Sequence, residues 1–210
     1  MKELFKNWKT IPNLISFIRI LLVPAFVVLY FKGHTITALS VLAVSGLTDC
    51  VDGKIARKFN QISALGKILD PVADKLTQIS IAVVLLIKFH SCDSVAMKYF
   101  SWVFTLFLAK EFIMLAVGFI MILKGIKPEP AEIYGKIATT VFYFAMILVI
   151  GFAPQIGAIS SYDLRLAMPE WMVMTLVIIT LIFTFVALLS YVPVTIKKFR
   201  EYKNKSGENE

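Results

Sequence analysis

Four aspartates stand in the stretch "TDCVDGKIARKFNQISALGKILDPVADK", Thr48–Lys75, of a chain that is otherwise mostly apolar. Asp49 and Asp52 are three apart and Asp70 and Asp74 four apart, so on helices each pair shares one face. Four unpaired carboxylates crowded near a membrane repel one another until some take up protons. A divalent cation relieves that repulsion. Hard oxygen donors suit Mg²⁺, Mn²⁺ or Ca²⁺ rather than zinc. Gly53 follows Asp52 and removes a side chain where a ligand could approach the backbone. Ala56 keeps that face small, and Arg57 offers a fork for phosphate oxygens. Gly66 lies one turn before Asp70. A cation beside an arginine, with small residues between, suits a diphosphate whose leaving group is activated by charge neutralisation.

The elements that must hold these residues follow from composition. The chain has 210 residues, of which 58% are hydrophobic and 17% charged. Soluble domains run at about 45–50% apolar, and a chain this size could not hide the excess from water, so its solvent is lipid. A membrane helix needs about 20 apolar residues. Six candidates meet that need, near Asn13–Phe31, Thr35–Arg57, Ala64–Phe89, Val95–Leu123, Tyr134–Ala153 and Pro169–Ile196. The expected fold is an all-α integral membrane protein of six transmembrane helices, residues 11–198. A short interfacial amphipathic helix precedes them at 1–10, where Leu4, Phe5 and Trp8 recur at helical spacing. A disordered tail follows at 199–210. The charged motif falls at one end of the second and third helices. A short turn near Lys58–Ile62 makes these two antiparallel neighbours, so both aspartate pairs can meet at one level. Pro71 is a candidate helix start that would break the third span there.

The net charge of +8 has a topological origin. Lys2, Lys6, Lys9, Lys54, Arg57, Lys58, Lys67, Lys124, Lys127, Lys136, Lys197, Lys198, Arg200, Lys203 and Lys205 fall on one side of the six spans. Lys32, Lys88, Lys98 and Arg165 fall on the other. The positive-inside rule puts the richer side, both termini and the motif in the cytoplasm, and nucleic acid is not the partner. Cys50 and Cys92 have neither zinc spacing nor a disulfide framework. The absence of a cleavable leader or transit pattern points to a bacterial cell membrane.

The pattern Asp49-x2-Asp52-Gly53-x2-Ala56-Arg57-x8-Gly66-x3-Asp70-x3-Asp74 resembles the signature of the CDP-alcohol phosphatidyltransferases. "IPNLISFIR" (Ile11–Arg19) resembles the opening of that family, and "GKIATT" (Gly135–Thr140) a later basic segment. "LDPVADK" (Leu69–Lys75) is similar to the bacterial phosphatidylglycerophosphate synthases and the related cardiolipin synthases. The resemblance implies six membrane helices, often a homodimer, and two Mg²⁺ or Mn²⁺ ions on Asp49, Asp52, Asp70 and Asp74. It makes Asp74 the general base. It lays CDP against Thr48, Asp49, Gly53, Ala56, Arg57 and Gly66. The implied reaction moves the phosphatidyl group of CDP-diacylglycerol to an alcohol and releases CMP.

The acceptor is read from the remaining basic residues. Arg19, Lys110 and Lys136 would suit an acceptor that carries phosphate, such as glycerol 3-phosphate. Two positions depart from the phosphatidylglycerophosphate synthases: Lys110 stands where arginine is usual before Glu111, and Ala138 where a second basic residue is usual. Lysine is a point charge rather than a fork, so phosphatidylglycerol, as in a cardiolipin synthase, is the alternative acceptor. Each candidate also has an ordinary structural reading. Arg19 could snorkel to the interface, Lys110 and Glu111 could be a buried ion pair, though adjacent side chains point about 100° apart, and Lys136 could serve topology alone. A cation transporter is a distant alternative, since no second acidic layer crosses the chain. An allylic diphosphate enzyme would need a different aspartate spacing.

Overall fold

The structure, a computed structural model, describes residues 10–58, 66–124, 126 and 133–207, without the side chains of 12, 49–58, 67–68, 133 and 203–207. The expected interfacial helix, save Thr10, and most of the turn near Lys58–Ile62 lie outside these residues.

Seven α-helices are described: α1 (Ile11–Phe31), α2 (Thr35–Lys58), α3 (Gly66–His90), α4 (Val95–Phe100), α5 (Val103–Leu123), α6 (Ile133–Phe152) and α7 (Glu170–Gly207). A 3-10 turn, Leu164–Leu166, precedes α7. Thr10 caps α1 by accepting from the Asn13 amide at 3.4 Å, and Pro12 falls in the first turn, where its missing N–H costs no helical bond. Gly33, at φ +84°, turns the chain from α1 into α2.

Among the described residues, four stretches are long and apolar enough to cross a membrane: Asn13–Phe31, Val95–Leu123, Tyr134–Phe152 and Glu170–Tyr202. The protein is thus an all-α membrane protein. α2 and α3 are of spanning length but carry the charged motif. The outward faces of α1, α5, α6 and α7 fit lipid: Phe17, Leu21, Phe112, Phe119, Phe144 and Leu189 are exposed, on helices where lipid replaces water as solvent.

Three expectations differ from the structure. Val95–Leu123 is not one helix but α4 and α5, parted at Ser101–Trp102. There the Ser101 hydroxyl donates to the Lys98 carbonyl at 2.6 Å, and that of Thr105 to the Trp102 carbonyl at 2.6 Å; such local bonds compete with the helical ladder. Pro71 does not start a helix. It lies inside α3, close enough to the first turn that few ladder bonds are at stake. The segment from 199 does not leave the helix: α7 continues through Gly207. Good helix formers, a Glu201→Lys205 spacing and the absence of proline favour continuation, and the Phe199 ring lies 5.6 Å from the Lys124 ammonium.

α1 is the central packing partner of the motif helices and packs extensively on both α2 and α3. One crevice is lined by Leu22, Val23 and Phe26 from α1, Val41, Leu42 and Ser45 from α2, and Thr77 and Ser80 from α3. Ser16 beside Asp70 at one end and the Lys88 ammonium 5.5 Å from the Tyr30 ring at the other make α1 and α3 parallel, and the short turn at Gly33 sends α2 back along α1. α5 runs along α3 in the opposite sense, with Lys75 beside Glu111 at one end and the Phe89 and Phe104 rings 5.5 Å apart at the other. α6 reaches both halves: Phe142 meets Phe107 of α5 edge-on at 5.6 Å, and Tyr143 lies near Gly46 of α2. The buried core of Phe26, Tyr30, Leu42, Phe107, Phe142 and Met146 fills the space between.

The end opposite the motif is closed by loops. The Tyr30 hydroxyl donates to the Ile156 carbonyl at 2.7 Å, the Asp93 amide to Gln155 Oε1 at 3.1 Å, and the Ser94 hydroxyl to Glu170 Oε2 at 2.8 Å. Gly157 packs so tightly that a Cβ there would stand 2.6 Å from the Ala153 carbonyl oxygen. Burial, then the Asp93 and Glu170 carboxylates, push the Cys92 thiol up, so it stays protonated at neutral pH.

Candidate active site

Asp70 and Asp74 project from the second and third turns of α3, and both are half-buried. Asp70 accepts from the Ser16 hydroxyl of α1. Ser16 belongs to a buried polar stripe on α1 formed by Asn13, Ser16 and Arg19, at the i, i+3, i+6 spacing that shares a helix face. Arg19 is only 1% exposed. It lies inside the bundle and does not snorkel.

Asp74 is held from two helices. Gln78 Nε2 lies 3.3 and 3.2 Å from its two carboxylate oxygens, and the Tyr143 hydroxyl of α6 donates to Oδ1 at 3.2 Å. Gln78 also links to Lys75, whose Nζ lies 3.5 Å from Gln78 Oε1. Lys75 in turn pairs with Glu111 of α5 at 2.8 Å, and Glu111 takes Lys110 at 2.5 Å. The Lys110–Glu111 pair that helical geometry disfavours is therefore made, because Lys110 is long enough to fold back on its neighbour. A continuous chain of hydrogen bonds and ion pairs, Tyr143–Asp74–Gln78–Lys75–Glu111–Lys110, ties α6, α3 and α5. Buried charges persist when paired in this way.

The other candidates fall around this chain. Thr48, half-buried on α2, donates to the Ser45 carbonyl at 2.8 Å. The backbone of Asp49, Asp52, Gly53, Ala56 and Arg57 continues α2, and their side chains lie outside those described. Gly66, the first residue of α3, is buried. Lys136 is exposed in the first turn of α6, while Ala138 is buried at 6%. Ser16, Lys75, Gln78 and Tyr143 were not singled out from sequence. Gln78 stood one turn from Asp74, and the Asn13-x2-Ser16-x2-Arg19 stripe interrupts an apolar run at helical spacing; both signals were legible. Tyr143 carried none.

The donor set fits a hard divalent cation. Asp70 and Asp74 present carboxylate oxygens one turn apart on one face, among the described residues no thiolate or imidazole competes beside them, and hydroxyl and amide donors fix both carboxylates.

The carboxylates of Asp70, Asp74 and Glu111 thus gather at one end of the helical bundle with a buried lysine, Lys110, and a half-buried one, Lys75. A sequence profile of CDP-alcohol phosphatidyltransferases matches residues 9–196, and the chain belongs to that family. It is a membrane transferase of phospholipid synthesis. The chain is 30% identical over 196 residues to the CDP-diacylglycerol–glycerol-3-phosphate 3-phosphatidyltransferase of Aquifex aeolicus, a match covering 90% of this chain and 96% of that one. It is 37% identical over 147 residues to the cardiolipin synthase (CMP-forming) of Streptomyces coelicolor, covering 67% of this chain and 65% of that one. With human cardiolipin synthase (CMP-forming) it shares 50% identity over 75 residues, 35% of this chain and 25% of the human one.

Proposed function

We propose that this transferase moves the phosphatidyl group of CDP-diacylglycerol to glycerol 3-phosphate, giving phosphatidylglycerophosphate and CMP. The observation that carries the acceptor is the Lys75–Glu111–Lys110 cluster. Two ammonium groups share one carboxylate, so these three side chains together carry one excess positive charge near Asp74. A phosphomonoester dianion gains more from that charge than a phosphodiester does. The near full-length likeness to the Aquifex enzyme supports the same acceptor. A second reading takes phosphatidylglycerol as acceptor. Lys110 is already engaged by Glu111 and Ala138 offers no charge, and the Streptomyces relative is a cardiolipin synthase.

In this reading Asp49, Asp52, Asp70 and Asp74 would hold two Mg²⁺ or Mn²⁺ ions, whose charge neutralises the diphosphate and the departing phosphate of CMP. Arg57 grips diphosphate oxygens, and Gly53, Ala56 and Gly66 leave room for the nucleotide beside Thr48. Arg19, Lys110 and Lys136 receive the acceptor phosphate. Asp74 takes the proton of the acceptor hydroxyl, whose own pKa is too high to react unaided. The hydroxyl oxygen then bonds to the phosphatidyl phosphorus as the bond to the CMP oxygen breaks. Six spans, cytoplasmic termini and a cytoplasmic site follow from the basic residues gathered at the motif end, and a homodimer is the expected assembly.

The test is CMP release by purified protein in detergent with CDP-diacylglycerol, Mg²⁺ and either acceptor. Turnover with glycerol 3-phosphate is expected. Turnover with phosphatidylglycerol alone would transfer the assignment to cardiolipin synthesis.

A further inference from the structure

The donors on Asp74 come from different places in the fold. Gln78 is one turn along α3 and moves with Asp74 itself. Tyr143 reaches it from α6, a helix 69 residues away in sequence. The phenol is not free to wander: its ring is 8% exposed, meets Phe142 edge-on at 6.1 Å, and lies against Gly46 of α2, where an added Cβ would stand 3.8 Å from the ring. A carboxylate turns easily about its last torsion, which has broad wells. A glutamine with three torsions steers it weakly. A packed tyrosine, with two torsions and a fixed ring, steers it at little entropic cost.

We infer that Tyr143 is a positioning residue: its hydroxyl, fixed by α2 and α6, sets the orientation of the Asp74 carboxylate toward the acceptor hydroxyl and the bound cation. The inference rests on the role of Asp74 proposed above. It assigns to α6 a part in the chemistry beyond binding the acceptor, because any shift of α6 against α3 turns the carboxylate.

Tyr143→Phe tests it, since the ring stays and one hydroxyl goes. The kcat for CMP release is expected to fall about three- to tenfold, the size of effect an ordinary side-chain hydrogen bond supports. KM for CDP-diacylglycerol and for acceptor should stay within about twofold, and the thermal midpoint in detergent within about 2 °C. Mn²⁺ titration followed by electron paramagnetic resonance, without acceptor, should show an about threefold weaker Kd, because a ligand whose outer partner is lost binds less well. Val149→Ala is the control: it opens space at a fully buried position of α6 away from the Tyr143 ring, and should lower the midpoint while leaving kcat within about twofold. Parental kcat and Mn²⁺ affinity in Tyr143→Phe would overturn the inference, as would an equal loss of kcat in Val149→Ala. If the parent protein releases no CMP with either acceptor, the proposed reaction fails, and the Mn²⁺ titration still decides for or against Tyr143.

Discussion

At the motif end, helices meet side chain to side chain: Ser16 on Asp70, Tyr143 on Asp74, Lys75 on Glu111. At the opposite end, most of the hydrogen bonds among the described residues involve backbone: Tyr30 on the Ile156 carbonyl, the Asp93 amide on Gln155, the Ala158 amide on the Ile150 carbonyl at 2.7 Å. The difference separates two tasks. Backbone groups must be satisfied wherever a helix ends near lipid, so the loop end is a closure. Charged side chains inside the bundle are costly and are kept where they can act on a substrate. A lesion at the motif end should therefore remove activity out of proportion to stability, and a lesion at the loop end the reverse.

The largest effect expected is at Asp74. Asp74→Asn keeps shape and removes both the proton acceptor and a cation ligand. CMP release should fall at least about 10³-fold, with an unchanged thermal midpoint in detergent. Activity within tenfold of the parent would erase the contrast between the two ends. Glu111→Gln should affect both properties. It leaves Lys75 and Lys110 without their anion, at a cost of about 3 kcal/mol, read as a lower unfolding midpoint. Lys110→Met in the same background should recover part of that loss, since it removes one of the two stranded charges. The smallest effect on catalysis belongs to the loop end. Gly157→Ala forces a Cβ to within 2.6 Å of the Ala153 carbonyl oxygen and should cost about 1–3 kcal/mol of stability. Its kcat should stay at the parental value, measured as CMP release at a temperature well below the lowered midpoint. A kcat loss there would show that the two ends are coupled.

Much of this protein was legible in its residues. Apolar runs located the long helices because lipid demands about 20 apolar residues at a time, and the aspartate spacing located the metal-binding candidates because helical periodicity puts i, i+3 and i+4 on one face. Some local features were harder to read. The split between α4 and α5 turns on Ser101 and Thr105 hydroxyls that bond back to carbonyls, a competition with the ladder that apolar content does not reveal. The helical course of 199–207 was hidden by its charge, which resembles that of a solvated tail. The short turn near Lys58–Ile62 suggested α2 and α3 as antiparallel neighbours, but gave no sign that α1 packs extensively on both.

By itself, the sequence determined the class of solvent, the approximate helices and the family, and named the candidate oxygen donors, because these depend on composition and on spacing within one helix. Only the tertiary structure decided which distant residues complete the site. Ser16 and Tyr143 lie 54 and 69 residues from the aspartates they hold. Lys110 and Lys75 share Glu111 because α3 and α5 run side by side. Such partnerships depend on how helices pack and rotate against one another, and the periodicity of a single helix carries no information about its neighbour.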